Sequence, residues 1–312
     1  MKSPYRYLFG PVPSRRFGRS LGIDLTPYKT CSQNCIFCQL GHTTHLTVER
    51  RAYVPIEDVL SELMDFFTAG DTADYITLSG SGEPTLHPDF GRVLETIRGE
   101  TQTPALLLTN GSLLQRPEVR AAAAGATVVK ASLSAWDQES FKRINRPHPS
   151  LDFDGVIAGC NAFRKQFSGE LRLEVFLMKG INTAPEQVEK IAALANKIHA
   201  DHIQFNTVDR PPAVSSVKPV PMEEMVPLKG LFAPPAEIVS EQSIHPPSVN
   251  HGTSEAILAM INRRPCTAKQ IAGSFATNIN EVVKHLAQLY RAGKIRVETT
   301  NNRAFYIGKS GS

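Results

Sequence analysis

The sequence predicts an α/β chain in two parts: a partial (β/α)6 barrel with an open parallel sheet, followed by a small winged-helix module. Three observations predict it. Short apolar runs alternate with amphipathic stretches from residue 20 to about residue 208. A proline-rich stretch then interrupts the pattern, holding nine of the 22 prolines between residues 211 and 250. Beyond it the charge changes sign: from His251 onward nine Lys and Arg face three acids, a net +6, so the rest of the +4 chain carries −2. A length of 312 residues also suits about two domains.

The elements follow in order. Strands of alternating or fully apolar texture are expected at 20–25, 74–79, 105–109, 127–134, 171–178 and 202–207. Between them, apolar residues recur at helical spacing over 56–67, 88–98, 117–124, 153–167 and 185–199. Strand–helix alternation with short loops implies a parallel sheet. Right-handed crossovers curl such units into a barrel, and six leave it open. In such folds chemistry sits at the C-terminal ends of the strands. The stretch 211–250 reads as an extended wrap or connector with one short helix near 222–232. Helices are expected at 254–262, 267–275 and 279–291, with Thr267 as an N-cap. Two alternating runs, 294–298 and 303–307, join through Thr300, Asn301 and Asn302 as a hairpin. Three helices and a hairpin make a winged-helix pattern. The expected domains are therefore 1–210, 211–250 and 251–312.

The composition, 41% hydrophobic and 21% charged, excludes a collagenous or wholly disordered chain. No apolar run approaches the roughly 18 residues a transmembrane helix needs, and the N-terminus has no signal-peptide core. A soluble cytoplasmic protein with no membrane partner is expected.

Five cysteines, three of them within eight residues, do not form a disulfide framework. Cys31, Cys35 and Cys38 follow the first predicted strand with spacing C-x3-C-x2-C and an aromatic, Phe37, before the last. Three thiolates can hold three irons of a [4Fe–4S] cluster and leave the fourth open. The alternative is zinc with His42 or His45 as fourth ligand, although the usual second Cys knuckle is missing. Cys160 falls on an apolar helix face as a small core residue, and Cys266 has no neighbouring Cys.

This triplet after the first strand of a six-fold barrel resembles the signature of the radical S-adenosylmethionine (SAM) superfamily. Gly80, Ser81, Gly82, Glu83 and Pro84, at the second strand end, resemble its GGEP motif, with Ser81 in place of one glycine. The resemblance covers roughly residues 1–250 and runs to uncharacterised Fe–S oxidoreductases related to the tRNA wyosine-base synthases. The stretches 11–22, 143–148 and 206–212 are similar to that group as well.

The resemblance implies a [4Fe–4S] cluster on Cys31, Cys35 and Cys38, with SAM on its open iron. Backbone groups of Gly80, Ser81 and Gly82, with Glu83, would receive the SAM ammonium. Asn110 and Ser132, at the third and fourth strand ends, would contact its carboxylate and ribose. Lys179 would pair with the carboxylate, and Asn206 would lie near the adenine. Arg15, Arg16, Arg19 and Arg146 could bind an anionic substrate or form structural ion pairs. Glu174 could point into the barrel or into solvent. No catalytic residue is assigned.

The expected reaction is reductive cleavage of SAM to a 5′-deoxyadenosyl radical, followed by hydrogen abstraction from a substrate such as an RNA base or a peptide. A one-electron donor such as flavodoxin or ferredoxin would drive it. The basic module is expected to dock nucleic acid, or a peptide or protein. The competing reading is a cluster- or zinc-containing regulator that binds DNA without catalysis.

Overall fold

Alternation at the N-terminal side builds one sheet. A computed structural model of the protein describes residues 5–14, 16–238, 253–275, 277–300 and 303–309. Its strands are β1 (Leu8–Ser14), β2 (Gly18–Asp24), β3 (Thr30–Cys31), β4 (His45–Leu46), β5 (Tyr75–Ser79), β6 (Ala105–Thr109), β7 (Val128–Ser132), β8 (Glu170–Leu177), β9 (His202–Thr207) and β10 (Glu237–Ile238). The helices between them are α1 (Ile56–Thr68), α2 (Phe90–Glu100), α3 (Pro117–Ala123), α4 (Gln138–Ile144), α5 (Phe153–Gln166), α6 (Pro185–Ile198) and α7 (Met222–Met225). The main sheet runs β1-β2-β5-β6-β7-β8-β9-β10. From β2 to β10 every neighbouring pair is parallel, and β1 adds antiparallel to β2. The two edges, β1 and β10, do not pair, so the barrel is partial, as expected.

All six predicted strands are present within two residues or so of their expected bounds. The central ones are apolar on both faces because helices cover one side and the barrel interior the other. Leu78, Leu107, Val129 and Val175 are buried in a single core with Phe90, Phe163 and Ile191 from the helices.

Five elements lie outside the sequence expectation: the two-residue strands β3, β4 and β10, the edge strand β1 and the helix α4. β1 contains Gly10, Pro11 and Pro13, residues that argue against a strand. Its place at the sheet edge removes the objection, because an edge strand has spare N–H positions. Its pairing is irregular between Phe9 and Val12, where Gly10 takes φ +96°. α4 has only seven residues and is set by its cap: the Asp137 side chain accepts from Ser140 N at 2.7 Å.

Residues 211–220 of the proline-rich connector lie across the C-terminal ends of the strands. Val214 N donates to Ile36 O, Lys179 N to Lys218 O, and Val220 N to Thr207 Oγ1. The expected helix near 222–232 is α7 followed by a 3-10 turn at Val226–Leu231. Residues 239–250, with Pro246 and Pro247, lie outside the described residues.

The C-terminal elements are α8 (Ser254–Arg263), α9 (Ala268–Ser274), α10 (Ile279–Arg291), β11 (Ile295–Thr300) and β12 (Arg303–Gly308), the strands pairing antiparallel. Thr267 caps α9 as expected, accepting from Gln270 N. Ile257, Ile261, Ile271, Leu286 and Ile295 form a separate core that also holds Cys266. The connecting residues Asn301 and Asn302 lie outside the described residues. No described helix is long and apolar enough to cross a membrane.

Candidate functional site

Parallel strands place their C-terminal ends along one rim, and the cysteine loop leaves the rim directly after β2. Two clamps fix the loop. On one side, the β5–α2 turn docks beneath it: Lys29 N donates to Ser81 O at 2.6 Å and Glu83 N to Thr30 O at 3.1 Å. A Cβ on Gly82 would lie 1.9 Å from Thr30 O, so only glycine allows this approach. Gly80, at φ +110°, packs in the same way against the Asp24 carboxylate.

On the other side, the segment after α4 holds the loop through backbone bonds. Asn34 N donates to Asn145 O and Arg146 O, Ile36 N to Ile144 O, and His148 N to Ser32 O. The stretch 143–148 therefore supports the cysteines, a role its sequence did not reveal.

Each thiol meets a side-chain N–H donor. Asn110 Nδ2 lies 3.5 Å from Cys31 Sγ, Asn145 Nδ2 lies 3.5 Å from Cys35 Sγ, and Lys29 Nζ lies 3.1 Å from Cys38 Sγ. Burial, with Glu83 next to it, pushes the Cys31 thiol up to about 11, and burial also raises Cys35. Such thiols stay protonated until a cation supplies the charge that ionises them. Burial alone would lower the Lys29 ammonium, but Cys38 beside it, together with Cys31 and Cys35, outweighs burial and raises it.

Among the described residues no three His, Cys, Asp or Glu side chains converge on a point that could hold one metal ion. A cube takes its thiolates at separate irons, one from each cysteine. His42 and His45 are exposed. Three thiols in one clamped loop, each with an N–H donor, are a donor set that fits a [4Fe–4S] cluster.

The expected SAM contacts divide into groups. Glu83 is 2% exposed and ties two strand ends together. Its Oε1 accepts from Thr85 N, Thr85 Oγ1 and Thr109 Oγ1, and its Oε2 accepts from Asn110 N. Burial pushes its carboxyl up and these donors pull it back. Ser81 O is taken by Lys29 N, and Ser81 N donates to Asp24 Oδ1 at 2.5 Å. Gly80, Ser81, Gly82, Glu83 and Asn110 thus gather at the Cys31 end of the loop. Ser132 is half-buried at the end of β7, in register with Glu174. Lys179 stands apart, half-exposed and paired with Glu224 at 2.7 Å.

At the Cys38 end a cavity of about 330 Å³ opens into the barrel. Cys38, Phe37, Phe176, Glu174, Asn206 and Arg16 line it. Phe37 stacks on Phe176, with centroids 4.4 Å apart. Glu174 points inward: its Oε1 meets Lys130 Nζ at 2.8 Å, Arg16 Nη1 at 2.9 Å and Asn206 Nδ2 at 3.1 Å. Burial alone would raise this carboxyl, but Lys130 and Arg16 win and hold it at about 2. Of the four arginines expected at an anion, Arg16 reaches the cavity and Arg15 lies outside the described residues. Arg19 is held structurally, its guanidinium donating to Thr72 Oγ1 and its backbone N–H to Asp74 Oδ2, and Arg146 is exposed. Arg210 and Arg264 also line the cavity and were not anticipated.

Comparison with known proteins agrees with this geometry. The Radical SAM superfamily matches residues 25–195. The chain is 38% identical over 307 residues to a protein named GTPase Obg from Brachyspira hyodysenteriae, covering 96% of this chain but only 45% of that protein. It is 32% identical over 305 residues to a UPF0026 protein from Helicobacter pylori, covering 96% of both. The related wyosine synthases are represented by the S-adenosyl-L-methionine-dependent tRNA 4-demethylwyosine synthase of Danio rerio, 26% identical over 46% of this chain and 21% of that one. In fold, the chain matches Streptococcus suis SuiB bound to its precursor peptide, with a TM-score of 0.51 and 16% identity over 67% of this chain and 44% of that one. From the clamped cysteine triplet, the open barrel and these matches together, the chain belongs to the radical SAM superfamily, whose cofactors are a [4Fe–4S] cluster and S-adenosylmethionine.

Proposed function

We propose that this chain removes a hydrogen atom from a substrate held in the cavity beside Cys38. The observation that carries the reading is that one cluster ligand, Cys38, forms part of the cavity wall. A cluster held by Cys31, Cys35 and Cys38, with SAM, would supply a 5′-deoxyadenosyl radical once a donor provides one electron. The protein's own residues bind, orient and shield. Asn206, fixed by Glu174, is the expected SAM contact that lines this cavity. The stacked Phe37 and Phe176 give it an apolar wall. The connector at 211–220 covers the rim and limits water, which a radical site requires.

A flavodoxin or ferredoxin is the proposed electron donor. An RNA base is the substrate class supported by the name of the Danio rerio relative. The division at residues 211–250, and the winged-helix reading of the C-terminal unit, rest on its element order and separate core. The test is isotopic: deuterium from a labelled substrate should appear in 5′-deoxyadenosine formed by the anaerobic, reduced protein. SAM cleavage without transfer from any RNA substrate would rule out that substrate class.

A further inference from the structure

The turn between α8 and α9 brings the C-terminal unit onto the barrel. Arg263 Nε meets Asp24 Oδ2 at 3.4 Å, and its guanidinium lies 4.7 Å from the Phe9 ring centroid. Two residues on, Pro265 O accepts from Arg210 Nε at 2.9 Å. Arg303 of β12 adds an ion pair to Asp209, just past β9. Arg264 stands between the two anchors, and it lines the cavity beside Cys38. A pinned turn therefore brings one arginine of the C-terminal unit, Arg264, to the wall of the barrel's cavity.

The charge of that cavity is uneven. Four cationic residues, Arg16, Lys130, Arg210 and Arg264, share the lining with two carboxylates, Glu174 and Asp209. Glu174 is engaged by Arg16 and Lys130, and Asp209 by Arg303 from outside the lining. Among the described residues no carboxylate pairs with Arg264. A concave, low-dielectric wall concentrates the resulting positive potential. A guanidinium presents a planar fork that matches phosphate or carboxylate oxygens two at a time.

We propose that this cavity receives a substrate bearing an oxyanion group, phosphate or carboxylate, and that Arg264 of the C-terminal unit binds that group. The proposal rests on the radical SAM reading of the same cavity and deepens it. It makes the C-terminal unit a part of the substrate site as well as an appendage to it.

The test uses full-length protein, anaerobically reconstituted and saturated with SAM, titrated calorimetrically with inorganic pyrophosphate and separately with citrate. At least one probe should bind, and the one that binds identifies phosphate or carboxylate. Arg264→Ala should weaken that binding about tenfold or more, as loss of a charge-assisted hydrogen bond does. Arg264→Lys should weaken it less, and added salt should weaken it in the wild type. Iron content and SAM affinity, measured on the same samples, should match the wild type and show that the variants are folded.

No heat from either probe, or equal affinity in Arg264→Ala, overturns the proposal. So does a loss of SAM affinity with probe binding intact, which would make Arg264 a SAM ligand. If the wild type takes up no cluster or no SAM, the radical reading fails instead. The same titration of that protein then still decides the oxyanion site.

Discussion

Lys29 Nζ lies 3.1 Å from Cys38 Sγ, on a side chain that is only 3% exposed. Lys29 holds a left-handed backbone, φ 57°, with its N–H on Ser81 O and its carbonyl accepting from Thr44 N and His45 N. Both strand-end motif and cysteine loop thus meet at this residue. Cys31 and Cys35 receive neutral amide donors, from Asn110 and Asn145, while Cys38 receives a full positive charge.

A buried cation on one ligand favours the more negative, reduced cluster, because net charge and hydrogen bonds to sulfur set the potential. Lys29→Met should lower the midpoint potential by on the order of tens of millivolts, and Lys29→Arg should keep most of it. An EPR-monitored redox titration measures both. Equal potentials in the wild type and Lys29→Met would show that the ammonium does not act on the cluster.

Glu83 accepts four hydrogen bonds from Thr85, Thr109 and Asn110 in a buried position. Glu83→Ala leaves these donors unsatisfied and should destabilise the fold by about 2–4 kcal/mol in urea unfolding. Glu83→Gln should also destabilise, because its amide turns a donor toward donors. A change below about 0.5 kcal/mol for both would remove Glu83 from its structural role.

Glu174 balances Lys130 and Arg16 inside the barrel. Glu174→Gln leaves two buried cations facing each other and should cost about 3–5 kcal/mol at pH 7. The wild-type carboxyl is held down at about 2, below its ordinary 4.5. A depressed acid contributes stability above its unfolded pKa and loses it as pH falls toward the folded value. The gap between wild type and variant should therefore narrow as pH drops from about 4.5 to about 2. Urea midpoints of the cluster-free proteins, taken across that range, measure it. A gap independent of pH would contradict the ion-pair assignment.

The parts of this site visible in sequence are those whose chemistry is local. C-x3-C-x2-C is eight residues long, and the strand-end glycines mark tight turns by themselves. Glu83 was visible as a residue but not as a structural tie, since Thr109 lies 26 positions away. Asn145 reaches Cys35 across 110 positions, and Arg263 reaches Asp24 across 239. Such partners carry no pattern that periodicity or spacing can reveal. The edge strand β1 was hidden because its prolines obey a rule about position in the sheet, which is a property of the finished fold.

The most direct measurement is the product of reductive SAM cleavage by the anaerobically reconstituted, dithionite-reduced protein. Wild-type protein should carry four irons, as a [4Fe–4S] centre does, and should release 5′-deoxyadenosine and methionine. Cys35→Ala should lose both the iron and the product. Zinc in the wild-type loop, or an iron-loaded protein that yields no 5′-deoxyadenosine under any condition, would contradict radical SAM chemistry at Cys31, Cys35 and Cys38.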